Sequence, residues 1–173
     1  PSYSISPKDL WHAIATREAP QLVDVRRCEA FEQSPQLLPG AVWRDANKTH
    51  EWSGEFDRAR PLVLACKGGH EMSQMAVAQL RADGFDARVL EGGYQGWEAA
   101  GLPFVAKNEL NRIARTQPSL WVTRRRPKID RIACPWLIRR FLDAQARILF
   151  VDPDQVLNVA RASGAVPFDI KDV

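Results

Sequence analysis

The sequence has few cysteines and no long apolar run. Its three cysteines, Cys28, Cys66 and Cys134, form no CxxC pair, which argues against a disulfide framework and a structural zinc site. No apolar stretch approaches the roughly 20 residues that a membrane-spanning helix needs. The N-terminus lacks the basic and apolar regions of a secretory signal. We therefore expect free thiols in a reducing cytoplasm, with no membrane partner and no metal.

The charged residues are distributed unevenly along the chain. The 173 residues suffice for one large domain or two small ones, and 45% hydrophobic and 26% charged residues are typical of a globular protein. Residues 1–123 hold 14 basic and 15 acidic side chains, whereas residues 124–173 hold 10 and 6. A basic excess confined to the C-terminal part indicates two modules.

Short apolar runs alternate with helical patterns over the first hundred residues. Ser6, Pro7 and Asp9 together are typical of a helix start. This alternation predicts an α/β domain over residues 1–105, with a parallel sheet flanked by helices. The predicted strands are 21–25, 38–45 (after a turn), 61–66 and 87–93, and the predicted helices are 26–34 (or a turn), 72–82 and 94–101.

A polar linker with helical potential is predicted over residues 106–118. Beyond it, residues 119–173 alternate again and predict a small α/β C-terminal segment. Its predicted elements are a strand over 119–123, a helix over 134–145, a strand over 147–152 and a helix over 153–164.

Cys66 ends the strongest predicted strand, at the edge where α/β sheets bind their ligands. Gly68 and Gly69 let the following backbone curl, so that several N–H groups form an anion-binding nest. These amides, with Lys67 and His70 nearby, are expected to lower the thiol pKa and create a nucleophile. The alternatives are that Cys66 is a small buried hydrophobe and that His70, rather than shuttling protons, is a solvated polar group.

Four pieces of the sequence, in this order, resemble the rhodanese family: LVDVRRCEAF (22–31), LPGAV (38–42), LACKGGHEMS (64–73) and LEGGYQGWEAAGLP (90–103). The resemblance implies a sulfurtransferase that forms a persulfide on Cys66 and passes sulfane sulfur to a thiol or cyanide acceptor. It implies mainly structural roles for Asp24 and Arg26, and no metal or organic cofactor. The implied substrate-binding residues are Lys67, Gly68, Gly69, His70 and Glu71.

Glu71 stands at the sixth loop position, where rhodaneses often carry a basic residue. A carboxylate there would repel a dianion such as thiosulfate and favours a low-molecular-weight or protein persulfide as the donor. The alternative is that Glu71 lies in the first helical turn and points outward. Met72 stands where related phosphatases carry the arginine of a Cys-x5-Arg loop, so phosphatase activity is not expected.

The stretch WVTRRRPKIDRIACPWLIRRF (121–141) interleaves basic and apolar residues, with seven Lys and Arg within 124–140. A helix that starts at Cys134 and Pro135 would place the thiol at the positive end of the dipole. Arginine clusters bind phosphate, nucleic-acid backbone or oxyanions, although a solvated basic face is the alternative. The candidate anion-binding residues are Arg124, Arg126, Lys128, Arg131 and Cys134.

Three pieces resemble the C-terminal domain of the chromate-resistance protein family: LWVTRRRPKIDRIACPWLIRRFLD (120–143), ILFVDPDQV (148–156) and GAVPFDI (164–170). The resemblance implies a partial domain of that type over 119–173 and a link to chromate resistance. The leading hypothesis is therefore a sulfurtransferase linked to chromate response. The alternative is a non-catalytic chromate or redox sensor with an inactive rhodanese scaffold, in which the basic segment contacts chromate or DNA.

Overall fold

The computed structural model describes residues 2–113, 118–126 and 128–170. The chain divides into two compact units, Pro1–Phe104 and Val105–Val173. Parts of the predicted linker (114–117) and of the predicted C-terminal segment (127 and 171–173) lie outside the described residues. None of the helices in the described ranges has the length and apolar character of a membrane-spanning segment.

A five-stranded, fully parallel sheet forms the centre of the first unit, in the order β1-β6-β5-β2-β4. Every residue of the central strand β5 is buried. Both faces of the sheet are therefore covered at this strand, as is usual for parallel sheets. The strands of this unit are β1 (Ser4–Ile5), β2 (Gln21–Asp24), β3 (Gln36–Leu37), β4 (Val42–Trp43), β5 (Leu62–Ala65) and β6 (Ala87–Leu90).

Helices flank this sheet and confirm the predicted α/β fold class. The helix start predicted around Pro7 is also confirmed, because the Ser6 side chain accepts a hydrogen bond from the amide of Asp9. The helices are α1 (Pro7–Ile14), α2 (Cys28–Gln33), α3 (Thr49–Trp52), α4 (Glu71–Ala82) and α5 (Gly93–Ala99), with 3-10 turns at Ala46–Lys48 and Ser53–Glu55.

The main core of the first unit lies between β5 and α4. Ala76, Val77 and Leu80 form the apolar face of α4 and pack with Leu64 in one buried cluster. Cys66 belongs to the same cluster. The residue after β5 is therefore held by the best-packed part of this unit, which fixes where its backbone leaves the sheet.

The second unit is a small α/β structure, as predicted. Its three-stranded parallel sheet has the order β10-β8-β9, and its core includes Val122, Val156, Ala160 and Ala165. The elements are β7 (Val105–Ala106), α6 (Lys107–Ile113), β8 (Leu120–Arg124), α7 (Asp130–Leu137), a π-helical turn (Ile138–Leu142), β9 (Arg147–Val151), α8 (Val156–Ser163) and β10 (Val166–Pro167).

The predicted start of the helix at Cys134 is wrong. Helix α7 begins at Asp130, so Cys134 is its fifth residue and Pro135 lies inside it. Pro135 has no N–H to offer to the carbonyl of Arg131, and the helix continues in the wider π form over Ile138–Leu142. The thiol of Cys134 is thus away from the free amides of the helix start, and the helix-dipole argument for its reactivity does not apply.

Candidate active site

Cys66 follows the last residue of β5 and lies where the parallel sheet ends. The residue is 6% exposed and packs in the apolar cluster beneath the loop. Cys66 is therefore packed like the small buried hydrophobe of the alternative interpretation. Its polar surroundings decide whether it is also a nucleophile.

Two glycines allow the loop around Cys66 to close. The amide of Tyr94, at the start of α5, donates a hydrogen bond to the carbonyl of Cys66 at 3.0 Å. A Cβ on Gly93, whose φ is +54°, would lie 2.1 Å from that carbonyl oxygen. A Cβ on Gly69, with φ of +72°, would lie 2.8 Å from the carbonyl oxygen of Leu90. Backbone approaches this close require glycine at both positions.

Hydrogen-bonding groups of the loop and of α4 affect the acidity of the Cys66 thiol. Burial opposes ionisation of the thiol, but the hydroxyl of Ser73 and the amides of Ser73, His70 and Gly68 stabilise the thiolate. The balance lowers the pKa of Cys66 below that of an ordinary thiol. This balance is what the predicted anion nest requires, and the nest itself stays a prediction.

Ser73 is not among the site residues predicted from sequence, yet its Oγ lies 3.2 Å from the Cys66 Sγ. Its hydroxyl also donates to the carbonyl of His70 at 3.0 Å. One hydroxyl proton cannot serve both acceptors at full strength. When Cys66 is a thiol it can donate to Ser73, and after ionisation the serine proton can turn to the thiolate. The only sequence signal for this role is a hydroxyl in the first turn of the helix that follows the loop.

The other predicted loop residues lie around the rim. Lys67, His70 and Glu71 are exposed, whereas Gly68 and Gly69 are half-buried. The His70 ring lies across Gly68, where a Cβ would stand 2.7 Å from its Cδ2 atom. Glu71 is the first residue of α4 and is exposed, as its outward-pointing interpretation requires. Substrate contacts by these side chains stay predictions.

A buried ion pair supports the neighbouring strand end. Asp24 is fully buried, and its Oδ2 lies 2.6 Å from a guanidinium nitrogen of Arg26. Tyr94 donates its hydroxyl proton to Asp24 at 2.8 Å, and the Arg26 guanidinium stacks 3.6 Å from the Tyr94 ring centre. Burial, followed by the charge of Asp24, raises the pKa of Tyr94. This network ties the end of β2 to α5, the helix whose first turn clamps Cys66.

Cys28 lies at the first position of α2, just beyond the strand next to β5. It is exposed, and its thiol donates to a Glu32 carboxylate oxygen at 3.6 Å. Partial loss of solvation at the sulfur, followed by the charges of Glu32, Glu29 and Asp45, raises the pKa of Cys28. These acidic surroundings disfavour a thiolate at Cys28.

In the second unit, Asp169 draws together two of the predicted anion-binding arginines. The carboxylate of Asp169 lies 3.4 Å from Arg124 and 3.0 Å from Arg131. Arg124 Nε also donates to the main-chain carbonyl of Asp169 at 3.0 Å. Asp169 itself has φ of +50°, a conformation that non-glycine residues rarely adopt. The structure therefore brings these two arginines together, around an internal carboxylate.

The remaining predicted anion-binding residues do not join this cluster through any contact among the described residues. Arg126 and Lys128 are exposed, and Cys134 is half-buried in α7. Arg125, which was not predicted, pairs with Asp152 at 2.5 Å. Within the described ranges, no group of three or more His, Cys, Asp or Glu side chains is placed to hold a metal ion.

Two family models match the chain. The rhodanese-like domain matches residues 6–100, and the C-terminal domain of ChrB matches residues 121–173. A rhodanese-related protein from Thermoplasma volcanium superposes with a TM-score of 0.52 at 27% identity, over 60% of this chain and 98% of that one. The fold of the first unit is therefore one that solved rhodanese-related structures share.

The curated relatives also fall into two groups, sulfurtransferases and ChrB. The thiosulfate sulfurtransferase GlpE of Actinobacillus succinogenes is 33% identical over 101 residues, which is 57% of this chain and 86% of GlpE. Protein ChrB of Cupriavidus metallidurans is 45% identical over 43 residues, which is 22% of this chain and 13% of ChrB. The chain belongs to the rhodanese-like domain family and carries, at residues 121–173, a match to the C-terminal domain of ChrB.

Proposed function

We propose that the protein is a sulfurtransferase that carries sulfane sulfur as a persulfide on Cys66. The observation behind the proposal is the set of donors around the sulfur: the Ser73 hydroxyl and the amides of Ser73, His70 and Gly68. The relative GlpE, named a thiosulfate sulfurtransferase, supports the same reaction class. Free thiols and sulfane-sulfur chemistry suit a reducing cytoplasm, which we propose as the location.

The first half-reaction loads the sulfur. The Cys66 thiolate attacks the sulfane sulfur of the donor, a new S–S bond forms to Sγ, and the donor S–S bond breaks. Its electron pair leaves with sulfite when the donor is thiosulfate, and with a thiolate when the donor is a persulfide. We propose that the same amides that favour the thiolate also stabilise the negative charge of the Cys66 persulfide.

The second half-reaction unloads the sulfur. A thiolate or cyanide attacks the outer sulfur, the persulfide S–S bond breaks, and its electron pair returns to Cys66 as the thiolate. No external oxidant or reductant is needed, and no organic cofactor or metal is proposed. The exposed carboxylate of Glu71 at the rim leads us to propose a persulfide, rather than the thiosulfate dianion, as the better donor.

Intact-mass measurement after incubation with thiosulfate, or separately with glutathione persulfide, tests this function. We expect a gain of one sulfur, about 32 Da, on the wild type and on Cys28→Ser, and none on Cys66→Ser. We also expect faster loading from the persulfide than from thiosulfate. Absence of any gain on the wild type with both donors would exclude sulfur transfer, and faster loading from thiosulfate would exclude the proposed donor preference.

One observation, a buried nitrogen of Arg131, favours a second function, in which the C-terminal unit responds to an oxyanion. Arg131 is 7% exposed, and its buried Nε has no hydrogen-bond partner among the described residues. Buried donors of this kind are normally satisfied. We propose that an oxyanion such as chromate binds at Arg124 and Arg131 in competition with the Asp169 carboxylate, and that DNA binding is the output.

Calorimetric titration with chromate at low and high salt tests the second function. Binding should survive Cys66→Ser, weaken with salt, and be lost in Arg131→Ala. Arg161→Ala, which removes an exposed arginine of α8, is the matched control and should bind like the wild type. Chromate binding that disappears with Cys66→Ser and persists in Arg131→Ala would contradict this function.

A further inference from the structure

A cleft of about 440 Å³ opens at the carboxyl end of the sheet, between the start of α2 and the start of α4. We call it the Arg27–Glu71 cleft. Its volume lies in the range of small-molecule sites. The lining residues used below are Arg27, Glu29, Asp45, Glu71 and Met72.

Charges of both signs face this cleft without internal partners. Arg27 is exposed and makes no ion pair within the described part of the chain. Glu71 and Glu29 are likewise exposed, and no described cation pairs with either. Asp45, by contrast, accepts a hydrogen bond from the amide of Asn47 at 3.0 Å. One unpaired cation therefore stands with two unpaired carboxylates in a partly apolar space, and the Asp45 carboxylate adds a further negative charge because its partner is a neutral amide.

The Arg27–Glu71 cleft lies beside the sulfur-bearing loop. The residue after Met72 is Ser73, whose Oγ contacts the Cys66 sulfur at 3.2 Å. Met72 itself packs against the core cluster that contains Cys66. On the other wall, the amide of Val25 donates to the carbonyl of Ala65 at 2.9 Å, so the chain leading to Arg27 runs alongside Cys66. Both walls of the cleft are thus extensions of the two strand ends that meet at the thiol.

We infer that the Arg27–Glu71 cleft binds the amino-acid head group of a small thiol, with the carboxylate at Arg27 and the ammonium at Glu71 and Glu29. This inference rests on the proposed function, whose acceptor it specifies. The acceptor thiolate attacks the outer sulfur of the Cys66 persulfide and leaves as its own persulfide, while the bonding pair returns to Cys66. An S–S bond of about 2.05 Å carries that outer sulfur outward from the buried Sγ.

The charge balance discriminates between thiols. A thiol with only a carboxylate meets two unpaired acids, and a thiol with only an ammonium leaves Arg27 without a partner. A neutral thiol engages neither charge and gains no orientation from the cleft. A thiol with both groups satisfies both walls, as in the α-amino acid head group of cysteine.

Four acceptors of similar size separate these contributions: cysteine, 3-mercaptopropionate, cysteamine and 2-mercaptoethanol. The protein is first loaded with sulfur, and single-turnover loss of the extra sulfur is followed by intact mass. Intrinsic thiol reactivity cancels when each rate is expressed as the ratio of variant to wild type. The variants are Arg27→Ala and Glu71→Gln, the latter alone and combined with Glu29→Gln. Arg17→Ala and Glu18→Gln, at exposed positions outside the cleft lining, are the matched controls.

Arg27→Ala should slow transfer to cysteine and to 3-mercaptopropionate about tenfold, the effect of losing one charge-assisted hydrogen bond, and should spare the other two acceptors. Glu71→Gln with Glu29→Gln should slow transfer to cysteine and cysteamine and accelerate transfer to 3-mercaptopropionate. Both control variants should match the wild type. Equal ratios for all four acceptors in all three cleft variants would overturn the inference and leave the sulfurtransferase function intact.

Binding of S-methylcysteine, which has no free thiol, separates the cleft from the chemistry. In an NMR titration we expect saturable shifts at the amides of Glu71 and Met72 in the wild type, and their loss in Arg27→Ala. Saturable binding by a wild type that takes up no sulfur would support the cleft and refute the transfer reaction. Absence of these shifts at saturating ligand would overturn the cleft, whatever the loading experiment gives.

Discussion

Cys66 and Cys28 follow adjacent parallel strands of one sheet, yet their surroundings are opposite. Cys66 is buried beside the Ser73 hydroxyl, and this hydroxyl together with the amides of Ser73, His70 and Gly68 lowers its pKa despite the burial. Cys28 is exposed, donates to Glu32 and faces further carboxylates, and its pKa is raised. The end of a parallel strand is therefore not sufficient to activate a thiol. The groups beside the sulfur decide the outcome: carboxylates raise the pKa of Cys28, and hydrogen-bond donors lower the pKa of Cys66.

Burial alone would give the more buried thiol the higher pKa, and the two cysteines show the opposite order. The more buried thiol is the more acidic one, because several aligned hydrogen bonds offset the loss of solvation. The same low-polarity surroundings that disfavour a charge also strengthen each hydrogen bond made to it. Activation at Cys66 thus depends on the loop keeping its shape.

Substitution of Gly93 by alanine should have the largest effect, because a Cβ there would lie 2.1 Å from the Cys66 carbonyl oxygen. We expect a loss of about 3 kcal/mol in unfolding free energy, measured by urea denaturation, together with loss of sulfur loading. Gly101→Ala is the matched control, since Gly101 has φ of +67° with no atom within 4 Å of the added Cβ. The control should cost about 1 kcal/mol and keep its loading activity.

Substitution of Ser73 by alanine should have an intermediate effect, by removing the hydroxyl 3.2 Å from the Cys66 sulfur. The thiolate is the reactive form, so loading increases as the pH rises through the pKa of Cys66. Loss of a stabilising donor raises that pKa, and the rising limb of the pH–rate profile should move to higher pH.

At neutral pH the loading rate of Ser73→Ala should fall about tenfold, the size expected for one hydrogen bond to a charged atom. Ser163→Ala, on α8, should leave the profile unchanged. A profile in Ser73→Ala that keeps the wild-type midpoint would show that the amides alone set the acidity of Cys66.

Substitution of Glu32 by glutamine should have the smallest effect, and on Cys28 only. Removing this carboxylate lowers the pKa of Cys28, so alkylation of Cys28 at neutral pH should become faster. The change should stay below about twofold, because charges at an exposed site are screened by water and salt. The Cys66 alkylation rate serves as the internal reference, and a change there would mean that the two strand ends are coupled.

Local patterns account for the parts of the fold and site that were predictable. The strand before Cys66 and helix α4 follow from apolar periodicity, and the two glycines after the thiol indicate the curled loop. Strand β1 has only two residues, Ser4 and Ile5, which is too short for a pattern to emerge.

Contacts between residues that are far apart in the chain could not be predicted from the sequence. Ser73 acts because the first turn of α4 folds back over the thiol, and Asp169 meets Arg124 across 45 positions. Neither contact leaves a periodic trace. Pro135 gave a misleading signal, because a proline that is favourable at a helix start also occurs inside α7, where the helix then widens.

The central claim is that the loop donors make Cys66 the acidic thiol of the pair. Alkylation by iodoacetamide across a pH series, with peptide mass spectrometry to follow each cysteine, tests this claim directly. Restricted access of the reagent to the buried sulfur lowers the maximal rate at Cys66, whereas the midpoint of the pH dependence reports the pKa of the thiol. We predict that the midpoint for Cys66 lies below that of an ordinary thiol and that the midpoint for Cys28 lies above it. A midpoint for Cys28 below that of Cys66 would contradict the account.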